Sequence, residues 1–329
     1  MKGLSRSFIT TNIVGGLGNQ LFLVANLLAT ARRNNIPAVL PRLSLSSSCD
    51  APRPTYWSSI FESLESFGVE YVDEYTSFDD ARMRVVVQEV RPAAPIFLTP
   101  GSCGRNVPCC FDMVGFFQSE SFFRDFPIIK EIVPHRLHQL AMTHLRANYS
   151  YGSDYPHTVG IHLRRGDYTK MTDVFEQLDL GSYYDPAICH ILGGLLMREL
   201  HKRAPCRRNH SSTIPPSIQL LFFCEEEREG QLAVNYFRSK YLGLHVTHVH
   251  PSNEKQAPLA SNTSQPREVL ELIMLAHCDD VVMANSTFSW WGAYLNKSVL
   301  RRVVAPSKWF VQHPYPQSNH LYCDNWFLL

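Results

Sequence analysis

The stretch that decides the fold is FITTNIVGGLGNQLFLVANLLA, at residues 8–29. A run rich in β-branched and apolar residues at 8–14 meets a cluster of glycines at 15–18. Beyond the glycines, apolar side chains recur at helical spacing, at positions 21, 22, 25, 28 and 29. This order predicts a strand, a glycine turn and a buried helix.

The same alternation continues through the first half of the chain. Strands are predicted at residues 36–40, 84–90 and 113–117, with helices between them. Because strands that alternate with helices form parallel sheets, we expect an α/β fold. A long amphipathic stretch at 128–148 then gives way to a polar, turn-rich segment at 149–156, where we place a domain boundary.

The alternation restarts in the second half of the chain. Strands are predicted at 158–163, 218–224, 246–250, 281–284 and 299–305, and helices at 183–203, 227–241, 267–277 and 288–296. A chain of 329 residues also exceeds the size at which a single core usually stops growing. We therefore predict two α/β domains, spanning residues 1–155 and 156–329, that face one cleft.

The overall composition limits the class of partner. Because the formal net charge is only +1, the protein has no long-range field that would collect a polyanion. We therefore expect no nucleic-acid partner, and any phosphate must be recognised by a few placed cations.

Cysteine and asparagine patterns bear on the cellular compartment. The nine cysteines include no C-x-x-C pair, so a zinc site is not expected, whereas disulfides remain open. N-x-S/T sequons begin at Asn148, Asn209, Asn262, Asn285 and Asn296. Together these features favour the secretory lumen. No apolar run reaches the roughly 18 residues of a membrane span, so membrane anchoring would require a segment outside this sequence.

The glycine turn, GGLGNQLF at residues 15–22, is the first candidate site. Glycines at a helix N-terminus let backbone N–H groups approach an anion or a sugar closely. The motif has neither the spacing of a dinucleotide fingerprint nor the Gly-Lys-Ser/Thr of a P-loop. The alternative is a tight strand-to-helix turn in which Asn19 and Gln20 are merely solvated.

The second candidate is IHLRRGDY at residues 161–168, at the carboxyl end of an apolar strand, where open parallel sheets bind their ligands. Alternation along the strand places His162 and Arg164 on one face and Arg165 on the other. Arg164 is the candidate phosphate ligand, because a guanidinium offers a planar fork of donors and keeps its charge. Arg165 is expected to clamp Asp167 or the sheet edge. The alternative for the whole motif is an ordinary Arg–Asp surface pair.

The third candidate, NSTFSWWG at residues 285–292, follows an apolar strand and opens a helix. Ser286 and Thr287 are expected to cap this helix and to present hydroxyl and amide donors to a phosphate. The alternative is a plain helix cap with Trp290 and Trp291 in the core.

Taken together, the three motifs resemble the α-1,2-fucosyltransferase family. The resemblance extends to GFFQSESFF at 115–123, YY at 183–184, FFCEE at 222–226, ELIMLAHCDDVVMANSTFSWWGAYL at 271–295 and APSKWF at 305–310. It implies a glycosyltransferase B fold of two Rossmann-like domains facing a central cleft. Residues 156–329 would hold the donor and residues 1–155 mainly the acceptor.

The resemblance also implies roles for individual residues. His162 would lie near the guanine and ribose of the donor, and Arg164 would hold its β-phosphate. The implied catalytic pair is Arg164 and Asp167. The implied donor-binding residues are His162, Arg164, Arg165, Glu271, Asn285, Ser286, Thr287 and Ser289. The implied sugar or acceptor side comprises Gly15, Gly16, Gly18, Asn19, Gln20 and Trp290.

Two departures from the family pattern concern carboxylates. The family usually has aspartate where this chain has Glu271, and F-S-D-D where it has FCEE at residues 223–226. A glutamate keeps the charge but adds a methylene group and a rotatable bond. We therefore keep Glu271 as a donor ligand and leave Glu225 out of the site.

The implied reaction moves L-fucose from GDP-β-L-fucose to the 2-hydroxyl of a terminal galactose on a glycan, with inversion, in the Golgi lumen. The sequence contains no D-x-D triplet, so we expect neither a metal nor another cofactor. Arg164 and the helix end at Ser286 would stabilise the charge that grows on the leaving β-phosphate. Asp167 is either the base for the acceptor proton or a salt-bridge partner that orients an arginine.

Two other functions remain open from the sequence. One is a fucosyltransferase that modifies a protein or an N-glycan core, although the tandem tryptophan argues for the α-1,2 branch. The other is a catalytically idle glycan-binding descendant. Loss of the phosphate ligands would mark such a descendant, and this chain retains them.

Overall fold

The computed structural model describes residues 6–42, 45–46, 53–72, 83–90, 92–98, 107–203, 217–255, 265–298, 300–311 and 320–329. Contacts between residues divide the chain into two compact units. Unit 1 comprises Met1–Leu137 and His320–Cys323, and unit 2 comprises His138–Asn319 and Asp324–Leu329.

Unit 1 is built on a parallel sheet with a long buried helix. Its strands are β1 (Phe8–Thr11), β2 (Ala38–Pro41), β3 (Leu45–Ser46), β4 (Arg53–Pro54), β5 (Val69–Val72), β6 (Met83–Gln88) and β7 (Cys109–Val114). The five-stranded sheet has the order β5-β2-β1-β7-β6, with all neighbours parallel. The short strands β3 and β4 pair separately as an antiparallel ribbon.

Helix α1 (Leu17–Asn34) follows the glycine turn, as the sequence predicts. Every residue from 20 to 31 is buried, so the helix is a core element of unit 1. It ends at Asn35, which adopts the left-handed conformation at φ 52°. Asparagine tolerates this conformation better than most residues, and its amide bonds the carbonyls of the last turn.

Unit 2 repeats the same architecture on a larger scale. Its strands are β8 (His157–His162), β9 (Ile218–Phe223), β10 (His245–Val249), β11 (Asp280–Val282), β12 (Val303–Ala305) and β13 (Phe327–Leu328). Its helices are α2 (His135–Tyr149), whose first turn is in unit 1, α3 (Asp185–Arg203), α4 (Glu227–Lys240), α5 (Arg267–His277) and α6 (Thr287–Tyr294). The sheet order is β10-β9-β8-β11-β12-β13, again with all neighbours parallel.

Helices pack on both faces of the unit 2 sheet. On one face, Val159 and Ile161 of β8 belong to a buried cluster with Ile188 of α3 and Phe237 of α4. Gly160 points to the other face, where a Cβ would come within 2.6 Å of a methyl group of Leu275 in α5. Close packing of α5 on β8 therefore depends on the missing side chain.

The parallel α/β architecture expected from the sequence is confirmed, with differences at particular elements. Within the amphipathic stretch at 128–148, α2 begins only at His135. Pro134 precedes it, and proline lacks the amide hydrogen and the space for a preceding helical turn. The edge strands β5 and β13 were not predicted.

The division into units differs from the boundary predicted between residues 155 and 156. All but the first three residues of α2, which we expected in the first domain, lie in unit 2. Polar contacts explain this placement, since His138 Nδ1 lies 3.2 Å from Nε2 of His277 in α5. His144 Nε2 also lies 3.1 Å from Oε1 of Glu254.

Several observations bear on the compartment. Among the described residues, no helix is both long and apolar enough to cross a membrane. Cys109 is part of a disulfide. The sequon asparagines Asn148, Asn285 and Asn296 are buried, so they are not accessible for glycan attachment in the folded chain. The other two sequons, at Asn209 and Asn262, lie outside the described residues.

Candidate functional site

The candidate site of unit 2 lies where three neighbouring strands end. In the central strand β8, Ile161 pairs with Val282 of β11, and His162 pairs with Phe223 of β9. Because the strands are parallel, their carboxyl ends meet at one edge of the sheet. The segments that follow them, at 163–167, 224–226 and 283–287, supply the polar side chains.

Arg164 is held at this edge by two carboxylates. Its Nη1 donates to both carboxylate oxygens of Glu225, at 2.9 and 3.0 Å. Its Nη2 donates to Oδ1 of Asp167 at 2.5 Å. The carboxylates of Asp167 and Glu225 are about half exposed, whereas the arginine side chain is 22% exposed. Exposed ion pairs of this kind contribute less than about 1 kcal/mol, so a diphosphate can replace the carboxylates at low cost.

This geometry identifies the partners of Arg164, and an Arg–Asp pair belongs to both interpretations of the motif. Asp167 contacts Arg164 rather than Arg165, as the orienting role requires. Glu225, which we left out of the site, is the second partner of Arg164. Gly166 permits this contact, because it has a φ of 46° and a Cβ there would collide with Oε1 of Glu225.

Arg165 points away from Arg164 and supports the surrounding loop. Its Nη1 donates to the carbonyl of Leu178 at 3.0 Å, and its Nε lies 3.6 Å from a carboxylate oxygen of Glu229. Arg164 and Arg165 lie beyond the end of β8 at His162, and their guanidinium groups have separate partners. The contacts of Arg165 support the loop, and the donor-binding role implied for this residue stays a prediction.

His162 contributes a buried nitrogen with no partner among the described residues. Its side chain is 7% exposed, and its Nδ1 has no hydrogen bond there. The ring packs on Phe288 of α6, with centroids 5.0 Å apart. Burial, assisted by the nearby charge of Arg164, lowers the pKa of His162 to about 3. The ring is therefore neutral at physiological pH, and an unsatisfied buried nitrogen favours a ligand that bonds to it.

The start of α6 lies beside β8, and its polar residues divide into two groups. Ser286 caps the helix, because its Oγ accepts a hydrogen bond from the amide of Phe288. Thr287 follows at partial exposure. Both remain candidates for the phosphate contact, together with the free backbone amides of the first helical turn.

The structure corrects the donor-binding role that was implied for Asn285 and Ser289. Ser289 is fully buried, and its hydroxyl donates to the carbonyls of Ala284 and Ser286. Asn285 is also buried, and its amide nitrogen donates to the carbonyls of Glu176 and Trp309. These side chains satisfy backbone carbonyls at the strand end, so their donors are not available to a ligand.

The acceptor-side assignment of Trp290 is also corrected. We expected this residue on the acceptor side, but it is 1% exposed and lies in an aromatic cluster of unit 2. Its ring stacks on Tyr294 at 4.8 Å and contacts Trp291 at 5.1 Å and Trp326 at 5.4 Å. The core alternative is therefore the correct one for this residue.

Glu271 lies in the middle of α5, within a buried polar cluster. Its Oε1 accepts from Nε of Arg267 at 2.6 Å, and Nη1 of Arg267 donates to Glu254 at 2.8 Å. Burial raises the pKa of Glu271 to about 7, although the charge of Arg267 acts in the opposite direction. The contact to a nucleoside that the resemblance implies stays a prediction.

The glycine turn of unit 1 is a separate candidate at the carboxyl end of β1. Gly15 has a φ of 76°, which glycine adopts without strain, and Gly16 is the N-cap of α1. Gly18 is buried within the helix. Gln20 is also buried, and its Nε2 donates to the carbonyls of Gly15 and Pro54.

The side chains at this turn differ in their availability to a ligand. The amide nitrogen of Gln20 bonds backbone carbonyls within unit 1, whereas its Oε1 has no partner among the described residues, so its assignment to the acceptor side stays a prediction. Asn19 is partly exposed, and its Oδ1 accepts from Nε2 of Gln118 at 3.0 Å. Gln118 belongs to the GFFQSESFF segment, for which the sequence indicated no role.

No group of three or more His, Cys, Asp or Glu in the described part of the chain is arranged to hold a metal ion.

Comparisons with known proteins add a family match and a fold. Residues 251–328 match the model of glycosyl transferase family 11. The O-antigen biosynthesis glycosyltransferase WbnK of Escherichia coli is 31% identical over 78 residues, which cover 24% of this chain and 25% of WbnK. The match thus spans about a quarter of that relative. The matched family segment contains α5, β11, α6 and β12, and it confirms the resemblance carried by their motifs.

Solved structures resemble nearly the whole chain. POFUT1 in complex with GDP superposes with a TM-score of 0.50 at 12% identity, covering 92% of this chain and 98% of that one. A mutant of Arabidopsis thaliana FUT1 in complex with GDP gives a TM-score of 0.45 at 12% identity, covering 91% and 70%. The likeness to POFUT1 confirms the glycosyltransferase B fold expected from the sequence.

Proposed function

For a chain whose segment at residues 251–328 matches glycosyl transferase family 11, we propose the activity of a galactoside α-1,2-fucosyltransferase. In this proposal the enzyme moves L-fucose from GDP-β-L-fucose to the 2-hydroxyl of a terminal galactose, with inversion and without a metal. The POFUT1 structure of the same fold holds GDP. We place the enzyme in the Golgi lumen, and the disulfide at Cys109 fits an oxidising compartment.

The observation that carries the proposal is the position of Arg164. It presents a charged fork of donors at the carboxyl edge of the sheet, beside the unpartnered Nδ1 of His162 and the start of α6. As the bond from fucose to GDP breaks, negative charge grows on the β-phosphate. N–H groups that are already in place stabilise this growing charge more than they stabilise intact GDP-fucose. This difference accelerates the transfer.

The acceptor hydroxyl attacks from the face opposite the leaving phosphate, which converts a β-linked donor into an α-linked product. The proton of that hydroxyl is taken up by the leaving diphosphate or by water, so the reaction does not require a side-chain base. In the structure Asp167 is engaged by the guanidinium of Arg164. We therefore assign Asp167 to orienting Arg164 rather than to proton transfer.

Replacing Asp167 with asparagine tests this assignment. We expect kcat/KM for GDP-fucose to fall by no more than about fivefold, because an exposed ion pair contributes less than about 1 kcal/mol. Steady-state kinetics that separate kcat from KM provide the measurement. A fall in kcat of roughly 10²-fold or more at unchanged donor affinity would instead identify Asp167 as the base.

Metal independence is tested by chelation. We expect EDTA to leave turnover of GDP-fucose unchanged, because Arg164 and the start of α6 stabilise the leaving diphosphate. The control is the same assay with added Mn²⁺ or Mg²⁺. Loss of turnover in EDTA that Mn²⁺ restores would contradict this part of the proposal.

Donor binding is expected to depend on pH through Glu271. If its carboxylate contacts the nucleoside as an ionised acceptor, affinity rises as pH rises through its pKa of about 7. We expect a gain of roughly tenfold between pH 6 and pH 8, which is the change in the ionised fraction of such a group. Calorimetry with GDP-fucose measures it, since His162, with its pKa of about 3, does not titrate there. Glu271→Gln should remove the pH dependence, and a dependence that persists in this variant would assign it to another group.

The acceptor is tested separately from the donor. The tandem tryptophan that favoured the α-1,2 branch is buried in the core, so it does not contact an acceptor. A screen of galactose-terminated glycans, N-glycan cores and protein acceptors with GDP-fucose, read by mass spectrometry and linkage analysis, tests the proposal directly. Transfer to the 2-hydroxyl of galactose supports it, whereas transfer only to another acceptor would overturn the α-1,2 assignment.

A further inference from the structure

Three aromatic rings follow one another from the guanidinium of Arg164. The ring of Tyr168 lies 5.0 Å from the central carbon of the guanidinium. The ring of Phe175 is stacked on Tyr168 with centroids 3.9 Å apart and planes 10° from parallel, and Phe310 lies 5.5 Å from Phe175. We call Tyr168, Phe175 and Phe310 the aromatic ladder. It joins the IHLRRGDY motif to the APSKWF motif.

Backbone contacts hold the lower part of the aromatic ladder in place. Phe175 and Phe310 form an antiparallel bridge, and the flanking amides of Glu176 and Val311 donate across it. The amide of Asn285 bonds a carbonyl on each side of the bridge. This gives a positive role to the buried asparagine, because it fastens two segments together at the end of β11.

The contact with Tyr168 differs in kind from the contacts with Asp167 and Glu225. The N–H donors of a guanidinium lie in its plane, so both carboxylates approach its edge and compete with a phosphate for the same donors. In the contact with Tyr168, the guanidinium carbon lies over the face of the ring, and the attraction of the charge to the π electrons uses none of the hydrogen bonds to the carboxylates. A diphosphate can therefore replace both carboxylates while the ring contact persists.

We propose that Tyr168 is a positioning residue that keeps the guanidinium of Arg164 in place while the anion bound to its N–H donors changes. This inference rests on the proposed function, since it identifies how the phosphate ligand of that function is held. The aromatic ring carries the effect. The phenol stays protonated, because burial raises its pKa above the ordinary value. Tyr168 itself does not contact the reacting atoms.

Three variants with a matched control test the proposal. Tyr168→Phe keeps the ring, Tyr168→Ala removes it, and Phe175→Leu removes the ring stacked beneath it. The control is Tyr236→Ala, because Tyr236 in α4 also lies under a cation, at 5.9 Å from Nζ of Lys240, outside the candidate site. Circular dichroism and thermal unfolding establish that each variant is folded.

Two readouts distinguish a failure of the positioning role of Tyr168 from a failure of the proposed function. The first is the dissociation constant of GDP by calorimetry, together with kcat and KM for GDP-fucose. The second is nuclear magnetic resonance of the arginine Nε–H groups, with the Arg164 signal assigned from an Arg164→Lys spectrum. Hydrogen exchange of that signal reports the order of Arg164 whether or not a nucleotide binds.

We expect Tyr168→Ala to weaken GDP binding by roughly 5- to 30-fold, the range of a cation–π contact that is partly desolvated. Exchange of the Arg164 Nε–H should become faster in this variant. Phe175→Leu should show smaller changes in the same direction, while Tyr168→Phe and Tyr236→Ala should leave both readouts within about twofold. A twofold change is the small effect that is usual for a substitution that removes no important contact.

The outcomes are distinguishable. If Tyr168→Ala is folded and leaves both GDP affinity and Arg164 exchange unchanged, the positioning role is wrong. If Tyr168→Phe is as impaired as Tyr168→Ala, the hydroxyl rather than the ring acts, which also overturns the proposal. If wild-type protein binds no GDP but Arg164 exchange is faster in Tyr168→Ala, the proposed function fails and the positioning role stands.

Discussion

Replacement of Arg164 with alanine is expected to lower kcat/KM for GDP-fucose by roughly 10³-fold, the upper part of the range for removing one oxyanion donor. The guanidinium is the one cation described at the carboxyl edge of β8 that faces Asp167 and Glu225. Without it, the charge that grows on the leaving diphosphate would meet two carboxylates and no cation among these side chains. The loss should therefore appear in kcat as well as in donor affinity.

Initial-rate kinetics with GDP-fucose give the measurement. Arg164→Lys is the matched variant, because lysine keeps the positive charge but not the planar fork of donors. We expect its activity to lie between those of the wild type and the alanine variant. If Arg164→Ala retains more than about a tenth of wild-type kcat/KM, the residue is not a transition-state ligand of this magnitude.

The second large effect concerns stability rather than chemistry. Trp290→Ala is expected to lower the free energy of unfolding of unit 2 by about 3–5 kcal/mol, the usual cost of truncating a buried tryptophan. The indole is 1% exposed and is packed against Trp291, Tyr294 and Trp326. Its removal leaves a cavity that the surrounding rings cannot fill without rearranging.

Denaturant unfolding measures this loss, and Trp290→Phe is the matched variant. Phenylalanine keeps part of the ring, so a smaller loss of stability is expected. The Michaelis constant for a glycan acceptor should not change in the phenylalanine variant. A raised Michaelis constant for the acceptor with an unchanged free energy of unfolding would contradict the core placement of Trp290 and restore the acceptor-side interpretation.

The strand that carries the IHLRRGDY motif was predictable from its sequence. In the predicted strand at 158–163 and the residues after it, alternation placed His162 and Arg164 on one face and Arg165 on the other. In the structure the two guanidinium groups have separate partners, since Arg165 points to Leu178 while Arg164 meets the carboxylates. Alternation along a strand is a local property, and it therefore needs no knowledge of the rest of the fold.

The pairing of Arg164 with Glu225 depends on contacts that are distant in sequence. The two residues are 61 positions apart and meet because β8 and β9 are neighbours in the sheet. A signal was present, since FFCEE ends a predicted strand with acidic residues, just as IHLRRGDY ends one with basic residues. Without the strand order, however, the sequence does not say which strand ends are adjacent.

The errors at Asn285 and Ser289 share one physical origin. Polar side chains beside a tandem tryptophan suggested a ligand site, but Asn285 and Ser289 bond backbone carbonyls that a strand end leaves unpaired. A buried carbonyl requires a hydrogen-bond donor as much as a ligand does. Residue type alone therefore does not distinguish a side chain that serves the backbone from one that serves a substrate.

The most direct test of the central claim is a comparison of GDP and guanosine binding by calorimetry, in wild-type protein and in Arg164→Ala. If Arg164 is the phosphate ligand, wild-type protein binds GDP much more tightly than guanosine, and the variant loses most of that difference while its affinity for guanosine is unchanged. A variant that binds GDP as tightly as the wild type, or a wild-type protein that does not prefer GDP over guanosine, would contradict the assignment.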